Sequence, residues 1–265
     1  MQRTALVTGA SSGIGLATAT ALVARGYRVI GTSRDPSSIG HRVDGVEYTA
    51  LDLGSDESIA ALAEPLQHVD VLVNNAGESQ SGPLEELPAD ALRRLFEVNV
   101  LGPVRLAQLA LPGMRERGWG RVVMVGSMLA SFPLAYRSSY VASKAALRGF
   151  ASAARHEYSP YGVWLTTVEP GSINTGLSER RTVYLADDSP HRADFGRMLA
   201  ALNRNEKAGV PPERVAATIV TAIEAARPRQ RYAVGSNAPL VFALRRVAPA
   251  RLVERLTHRK HDLAR

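Results

Sequence analysis

Tyr140-Val141-Ala142-Ser143-Lys144 places a phenol and an ammonium group at i and i+4, one turn apart on a single helix face. A phenol beside a cation can exchange a proton if the cation favours its ionised form. Thirteen residues before Tyr140, Ser127 closes the apolar run Arg-Val-Val-Met-Val-Gly-Ser. Its hydroxyl should emerge at the carboxyl edge of the sheet, where a buried strand ends. A tyrosine and a lysine four apart are, by themselves, a common solvated helix face. The elements around them decide whether they do chemistry.

Those elements begin with Thr8-Gly9-Ala10-Ser11-Ser12-Gly13-Ile14-Gly15, between the first apolar run and the first helical stretch. Unpaired amides at such a helix start accept a dinucleotide pyrophosphate, and glycine lets the backbone come close to it. The spacing is GxxxGxG rather than GxGxxG, and a strand-to-helix turn also needs glycines for structural reasons alone. Short apolar runs (TALVTG, YRVIGTS, VEYTALDL, VDVLVNNAG, RVVMVGS, VWLTTVEPG) alternate with stretches of helical spacing. A further strand is expected at Arg231–Gly235, after a helix over Pro212–Ala226 whose start the two prolines mark. This rhythm predicts an α/β protein: a single-domain Rossmann-type, doubly wound parallel sheet with helices on both faces, spanning 1–265. Residues 174–209 and 236–265 break the rhythm. The first follows a strand's carboxyl end and is read as a substrate lid, the second as a basic C-terminal extension.

The GxxxGxG loop, Asn74-Asn75-Ala76-Gly77 after the fourth strand, and the Ser127, Tyr140, Lys144 spacing together resemble the short-chain dehydrogenase/reductase family. The resemblance runs from Thr4 to about Gly235. The final strand and the apolar, basic end are similar to the hydroxysteroid and retinol dehydrogenase branch. It implies an enzyme that interconverts a ketone or aldehyde and an alcohol with a nicotinamide cofactor. It also adds Asn99, within Phe96-Glu97-Val98-Asn99-Val100, as fourth member of a catalytic tetrad. Tyr140 is then the acid in reduction and the base in oxidation, Ser127 the second donor to the oxygen, and Lys144 a holder of the nicotinamide ribose. Asn99 either holds a water in a proton relay ending at Lys144 or bonds back to its own helix. Lowering a phenol from its ordinary pKa of about 10 by ~2 to 3 units takes ~3 to 4 kcal/mol. Lys144 and the positive oxidised nicotinamide are the sources this reading offers.

By the same resemblance the cofactor meets Gly9, Ser11, Ser12, Gly13, Ile14 and Gly15 at its pyrophosphate, and Asp52 and Leu53 at its adenine. Asn75, Ala76 and Gly77 form its floor, with a structural role for Asn75 equally open. Tyr140 and Lys144 lie at the nicotinamide ribose, and Pro170, Gly171, Ile173 and Thr175 at the carboxamide, although a Pro-Gly pair can also be a plain turn. Ser33 stands where members that prefer NAD carry an acid, and Arg34 follows with a fork suited to phosphate. NADP(H) is therefore the expected cofactor. The alternative is an exposed arginine, with Asp35 taking the ribose in an NAD enzyme.

Composition bounds the rest. The chain has 265 residues, 45% of them hydrophobic, which argues against disorder. The absence of cysteine removes disulfides, thiolate metal sites and a thiol nucleophile, and no HExxH pairs the histidines, so no metal is expected. The N-terminus runs straight into a strand and no apolar run reaches ~18 residues, so a soluble, cytoplasmic protein is expected. Of the net charge of +7, the segment from Pro239 onward supplies +5, with seven basic residues against Glu254 and Asp262. That locality and the lack of an aromatic RNA-reading motif argue against nucleic acid. Peripheral membrane contact through this segment competes with a solvated face or a subunit contact, which are favoured. A homodimer or homotetramer formed by the helices that carry Asn99 and Tyr140 is expected from the resemblance. Substrate walls are expected from Glu78–Leu84, Met128–Tyr136, Tyr184, Leu185, Phe195, Met198 and Leu199, whose apolar surfaces suit a steroid-, retinoid-, polyketide- or aromatic-ketone-like molecule unless they are lid core. The competing readings are a non-catalytic NADP(H)-sensing binding protein and a basic RNA-binding protein. Both leave the Ser127, Tyr140, Lys144 arrangement unexplained.

Overall fold

The computed structural model describes residues 2–176 and 180–263. Residues 177–179 of the expected lid, and 264 and 265 of the extension, lie outside them. In chain order the elements are β1 (Thr4–Val7), α1 (Gly13–Val23), β2 (Arg28–Ser33), β3 (Val46–Ala50), α2 (Asp56–Ala60), α3 (Ala63–Gln67), β4 (Val71–Asn74), β5 (Gln80–Ser81) and α4 (Ala89–Phe96). There follow α5 (Gly102–Glu116), β6 (Gly120–Val125), α6 (Ser138–Tyr158), β7 (Val163–Pro170), β8 (Thr182–Val183), α7 (Arg192–Lys207), α8 (Pro212–Glu224), β9 (Arg231–Val234), α9 (Ala238–Val247) and α10 (Ala250–Arg259). Seven strands pair in parallel in the order β3-β2-β1-β4-β6-β7-β9. All seven expected strands are present.

The apolar runs are continuous because each strand is buried on both faces, and alternate residues serve different layers. Leu6, Leu72, Val122, Met124 and Leu165 face α5 and α6 through Leu106, Ala110, Met114 and Leu147. Ala5, Val7, Val71, Val73, Val123, Val125 and Val168 face α1 and α8 through Leu22, Val215, Ile219 and Ile223. Each fully buried aliphatic side chain contributes roughly 1.5–3 kcal/mol, so the two layers hold the sheet from both sides.

The sheet order reverses between β1 and β4, and the crevice above their carboxyl ends is where open α/β sheets take ligands. The glycine loop rises there from β1, and the Asn74–Gly77 segment from β4. A Cβ at Gly15 would stand 2.1 Å from the Gly9 carbonyl oxygen, so only glycine lets α1 begin so close to the loop.

The irregular regions acquire structure of their own. Between α4 and α5 the chain makes a π-helical turn, Glu97–Leu101, the kind of insertion that re-aims a side chain. In the expected lid, β8 pairs with β5, and α7 buries Phe195, Met198 and Leu202 against Leu134. The basic terminal segment folds back as α9 and α10. Phe242 meets Phe132 edge-on at 5.1 Å between centroids, and Asp262 pairs with Arg204 of α7. Among the described residues no helix is long and apolar enough to cross a membrane.

Candidate active site

One cavity of about 920 Å³ runs along the crevice, from the glycine loop past Ser33 and Arg34 to Ser127 and Tyr140. All the expected site residues line it except Gly15 and Asn99. Gly15 packs behind the loop against Gly9, so its part is to let the loop close up rather than to contact a ligand. Asn99 is buried behind Gly77, where a Cβ would come 2.9 Å from its Oδ1 and 3.6 Å from Lys144 Nζ.

Tyr140 and Lys144 lie in the first two turns of α6, both buried at the inner end of the cavity. Lys144 Nζ donates to the Val125 carbonyl at the end of β6, 3.0 Å away. Ser127, just past that strand, accepts from the Leu129 amide at 3.2 Å and lies beside the Tyr140 phenol. The strand end thus positions the serine and tethers the lysine together. Asn99 does not bond back to its own helix. The π-turn aims it across, so that its Oδ1 accepts from the Glu78 amide at 2.8 Å. Its Nδ2 donates to the Glu78 carbonyl at 3.0 Å and to Ser143 Oγ at 3.3 Å.

The electrostatics depart from the expectation that Lys144 stabilises the phenolate. Burial pushes the Tyr140 phenol above its ordinary value, and the opposing influences are first the Arg137 guanidinium and then the Ser127 hydroxyl. Burial also pushes Lys144 down to about 8. Lys144 reaches past the phenol to the strand, with Nζ 5.8 Å from the ring centroid, whereas the Arg137 guanidinium carbon stands 4.3 Å over it. Sequence reasoning missed Arg137. Its only signal was a cation three residues before the tyrosine.

At the other end the residues present fit a dinucleotide. Gly9 and Gly13 adopt positive φ, and a Cβ on Gly13 would press on Thr175 at 3.3 Å, so these glycines shape a cradle that side chains would fill. The Asn75 amide nitrogen donates to the Thr8 carbonyl at 2.9 Å, which ties the cavity floor to the loop. Arg180 donates to Ser12 Oγ at 3.1 Å across the groove, a second cation the sequence reading left out. Asp35 is engaged elsewhere: its Oδ1 accepts from the Ser37 amide at 2.9 Å and from the Ser37 hydroxyl, capping the short turn Pro36–Ser38.

The substrate walls also differ from expectation. Phe195 and Met198 are buried core within the expected lid rather than wall, and Leu185 and Leu199 pack against them. Tyr184, Met128, Leu129 and Phe132 do line the cavity. Its roof comes from α9 and α10, through Val241, Leu244, Val253 and Leu256. The aliphatic residues interleaved with arginines are thus turned, in part, toward the site.

Comparison with known proteins places this geometry. Residues 3–183 match the family model for short chain dehydrogenase. Retinol dehydrogenase 8 of Bos taurus is 33% identical, over 94% of this chain and 86% of its own. A short-chain dehydrogenase structure from Streptomyces avermitilis superposes with a TM-score of 0.82 at 36% identity, over 96% of this chain and 95% of that one. A second, from Burkholderia cenocepacia in complex with NADP, gives 0.77 at 26% identity, over 97% and 99%. The chain therefore belongs to the short-chain dehydrogenase/reductase family of nicotinamide-dependent oxidoreductases, in the branch marked by likeness to retinol and hydroxysteroid dehydrogenases.

Proposed function

We propose that this protein is an NADP(H)-dependent oxidoreductase that interconverts a ketone or aldehyde and an alcohol on a largely apolar small molecule. The observation that carries the reading is the convergence of Ser127, Tyr140 and Lys144 at the inner end of a cavity whose outer end is a glycine cradle. The bound nicotinamide supplies or receives the hydride. Negative charge then develops on the substrate oxygen, which Tyr140 meets with a proton and Ser127 with a hydrogen bond. In the opposite direction the Tyr140 phenolate takes the proton. Lys144, buried and held on the Val125 carbonyl, is placed to hold the nicotinamide ribose, while Asn99 fixes the Glu78 backbone and Ser143 behind it.

Preference for NADP(H) rests on Ser33 and Arg34 lining the cavity at the end of β2 while Asp35 is occupied by Ser37. The NADP complex of the Burkholderia relative accords with it. The aliphatic roof from α9 and α10, with Phe132 and Leu202, favours a substrate with substantial hydrocarbon surface. The name of the bovine relative points the same way.

The test follows NADPH absorbance against steroids, retinoids, aromatic ketones and β-ketoacyl thioesters, comparing wild type with Tyr140→Phe. Turnover of an apolar member, reduced by about 10²–10⁴-fold in the variant, is expected. Tight NADPH binding without turnover of any member would instead favour a cofactor-sensing protein. Undiminished activity in Tyr140→Phe would refute the assigned chemistry.

A further inference from the structure

Arg137 stands just before α6 and is almost wholly buried, at 2% exposure. Its Nη1 donates to Ser79 Oγ at 3.0 Å, to the Gln80 carbonyl at 2.8 Å and to Ser81 Oγ at 3.0 Å. All of these acceptors are uncharged, and the buried Nε has no hydrogen-bond partner among the described residues. A buried guanidinium without a paired carboxylate is costly, and a stable fold keeps one only where its charge is used or its hydrogen bonds suffice. Here the remaining face of the charge is turned to Tyr140, with the guanidinium carbon 4.3 Å over the phenol ring.

The support for this cation is rigid. Its acceptors lie in and beside β5, which pairs with β8 on its other side. Gln80 also donates to Ser139 Oγ at 2.9 Å, and the Gly82 amide donates to the Tyr136 carbonyl at 3.0 Å. The β5 segment and the start of α6 are thereby locked together, with Arg137 between them and the ring. The guanidinium cannot swing away when the phenol changes charge.

We propose that Arg137 is a positioning residue for the proton transfer: the fixed cation that sets how readily Tyr140 ionises. Negative charge on a phenolate spreads into its ring, so a cation over the ring face favours the ionised form, the more so away from water. The other groups that bear on Tyr140 are Ser127 from the turn after β6, Arg181 ahead of α7, and Glu206 on α7, whose carboxylate acts in the opposite sense. Lys144 lies one turn along α6, and burial brings it to about 8. Its charge therefore fades in the alkaline range, and its Nζ, held on the Val125 carbonyl, stands 5.8 Å from the phenol ring centroid against 4.3 Å for the Arg137 guanidinium carbon. A guanidinium supplies what an ammonium in this cavity loses.

The inference rests on Tyr140 as the acid-base group of the proposed function, so its test reads Tyr140 without substrate. Protein carrying ¹³Cζ-labelled tyrosine is titrated by NMR from pH 6 to 11, with the Tyr140 resonance assigned by its loss in Tyr140→Phe. Arg137→Gln keeps hydrogen bonding but removes the charge, and should raise the Tyr140 midpoint by about one pH unit or more, a tenfold loss of phenolate at a given pH. Arg137→Met, which also removes the charge, should raise the midpoint by a similar amount, and both variants should bind NADPH with wild-type Kd.

A Gln or Met variant that titrates with wild type, or a wild-type Tyr140 that stays un-ionised to pH 11, would each overturn the proposal. If Arg137→Gln does not fold, the Met variant decides by the same one-unit criterion. A protein without turnover whose Tyr140 midpoint still follows the charge at residue 137 would refute the proposed function and leave this inference standing.

Discussion

On the proposed preference for NADP(H), Arg34→Ala should leave the protein nearly indifferent between NADPH and NADH. Arg34 is exposed at the end of β2, lines the outer cavity, and has no hydrogen bond or ion pair to another described residue. Its fork is therefore available to a 2′-phosphate without breaking an existing contact. A hydrogen bond to a charged group contributes about 1.5–3 kcal/mol. Coulomb's law gives a similar figure, about 1 kcal/mol per unit charge at ~4 Å in water, doubled for a phosphate near two charges. About 2 kcal/mol corresponds to roughly 30-fold, so kcat/KM for NADPH should fall about 10- to 100-fold while that for NADH changes by less than about threefold. The two cofactors are compared on one carbonyl substrate at low, fixed ionic strength, because salt screens an exposed pair. Asp35→Asn is the companion variant. With its carboxylate held by Ser37, its removal should leave both cofactors near wild-type values. A ratio unmoved by Arg34→Ala, together with loss of NADH use in Asp35→Asn, would show that Asp35 takes the ribose and that this reasoning is wrong.

Two further outcomes follow from burial. Lys144, brought down to about 8 in the fold against about 10.4 in an unfolded chain, binds fewer protons folded than unfolded between those values. Folding stability should therefore rise with pH across that window, by about 3 kcal/mol, and chemical denaturation of Lys144→Met should lack this rise. Leu244→Asp, in the cavity roof, should raise KM for an apolar substrate about tenfold or more while leaving NADPH affinity unchanged. An unchanged KM would remove α9 from the substrate wall.

The parallel sheet was legible because both-face burial writes itself as continuous apolar strands, and because Gly9, Gly13 and Gly15 mark a tight turn between the first strand and the first helix. Ser127, Tyr140 and Lys144 were legible for a different reason: one helix turn sets Tyr140 beside Lys144, and the spacing back to Ser127 carries the family resemblance that joins the three. Arg137 was not. Its meaning depends on Ser79, Gln80 and Ser81, more than fifty residues away in sequence, and on the face of a ring that only packing orients. The cavity roof was hidden too, since apolar residues interleaved with arginines suit a membrane, a subunit or a cavity equally well until Phe242 docks on Phe132.

What the chain's own order of residues determined was the alternation of strand and helix, the phosphate-shaped loop, and the identity of the groups that can move a proton. These depend on spacing within one or two elements. Tertiary structure alone decided which charges reach the phenol, that Asp35 is occupied by its own turn, and that the basic terminus closes the site. Electrostatic influence depends on distance and on exclusion of water, and neither exists until remote segments are packed against one another.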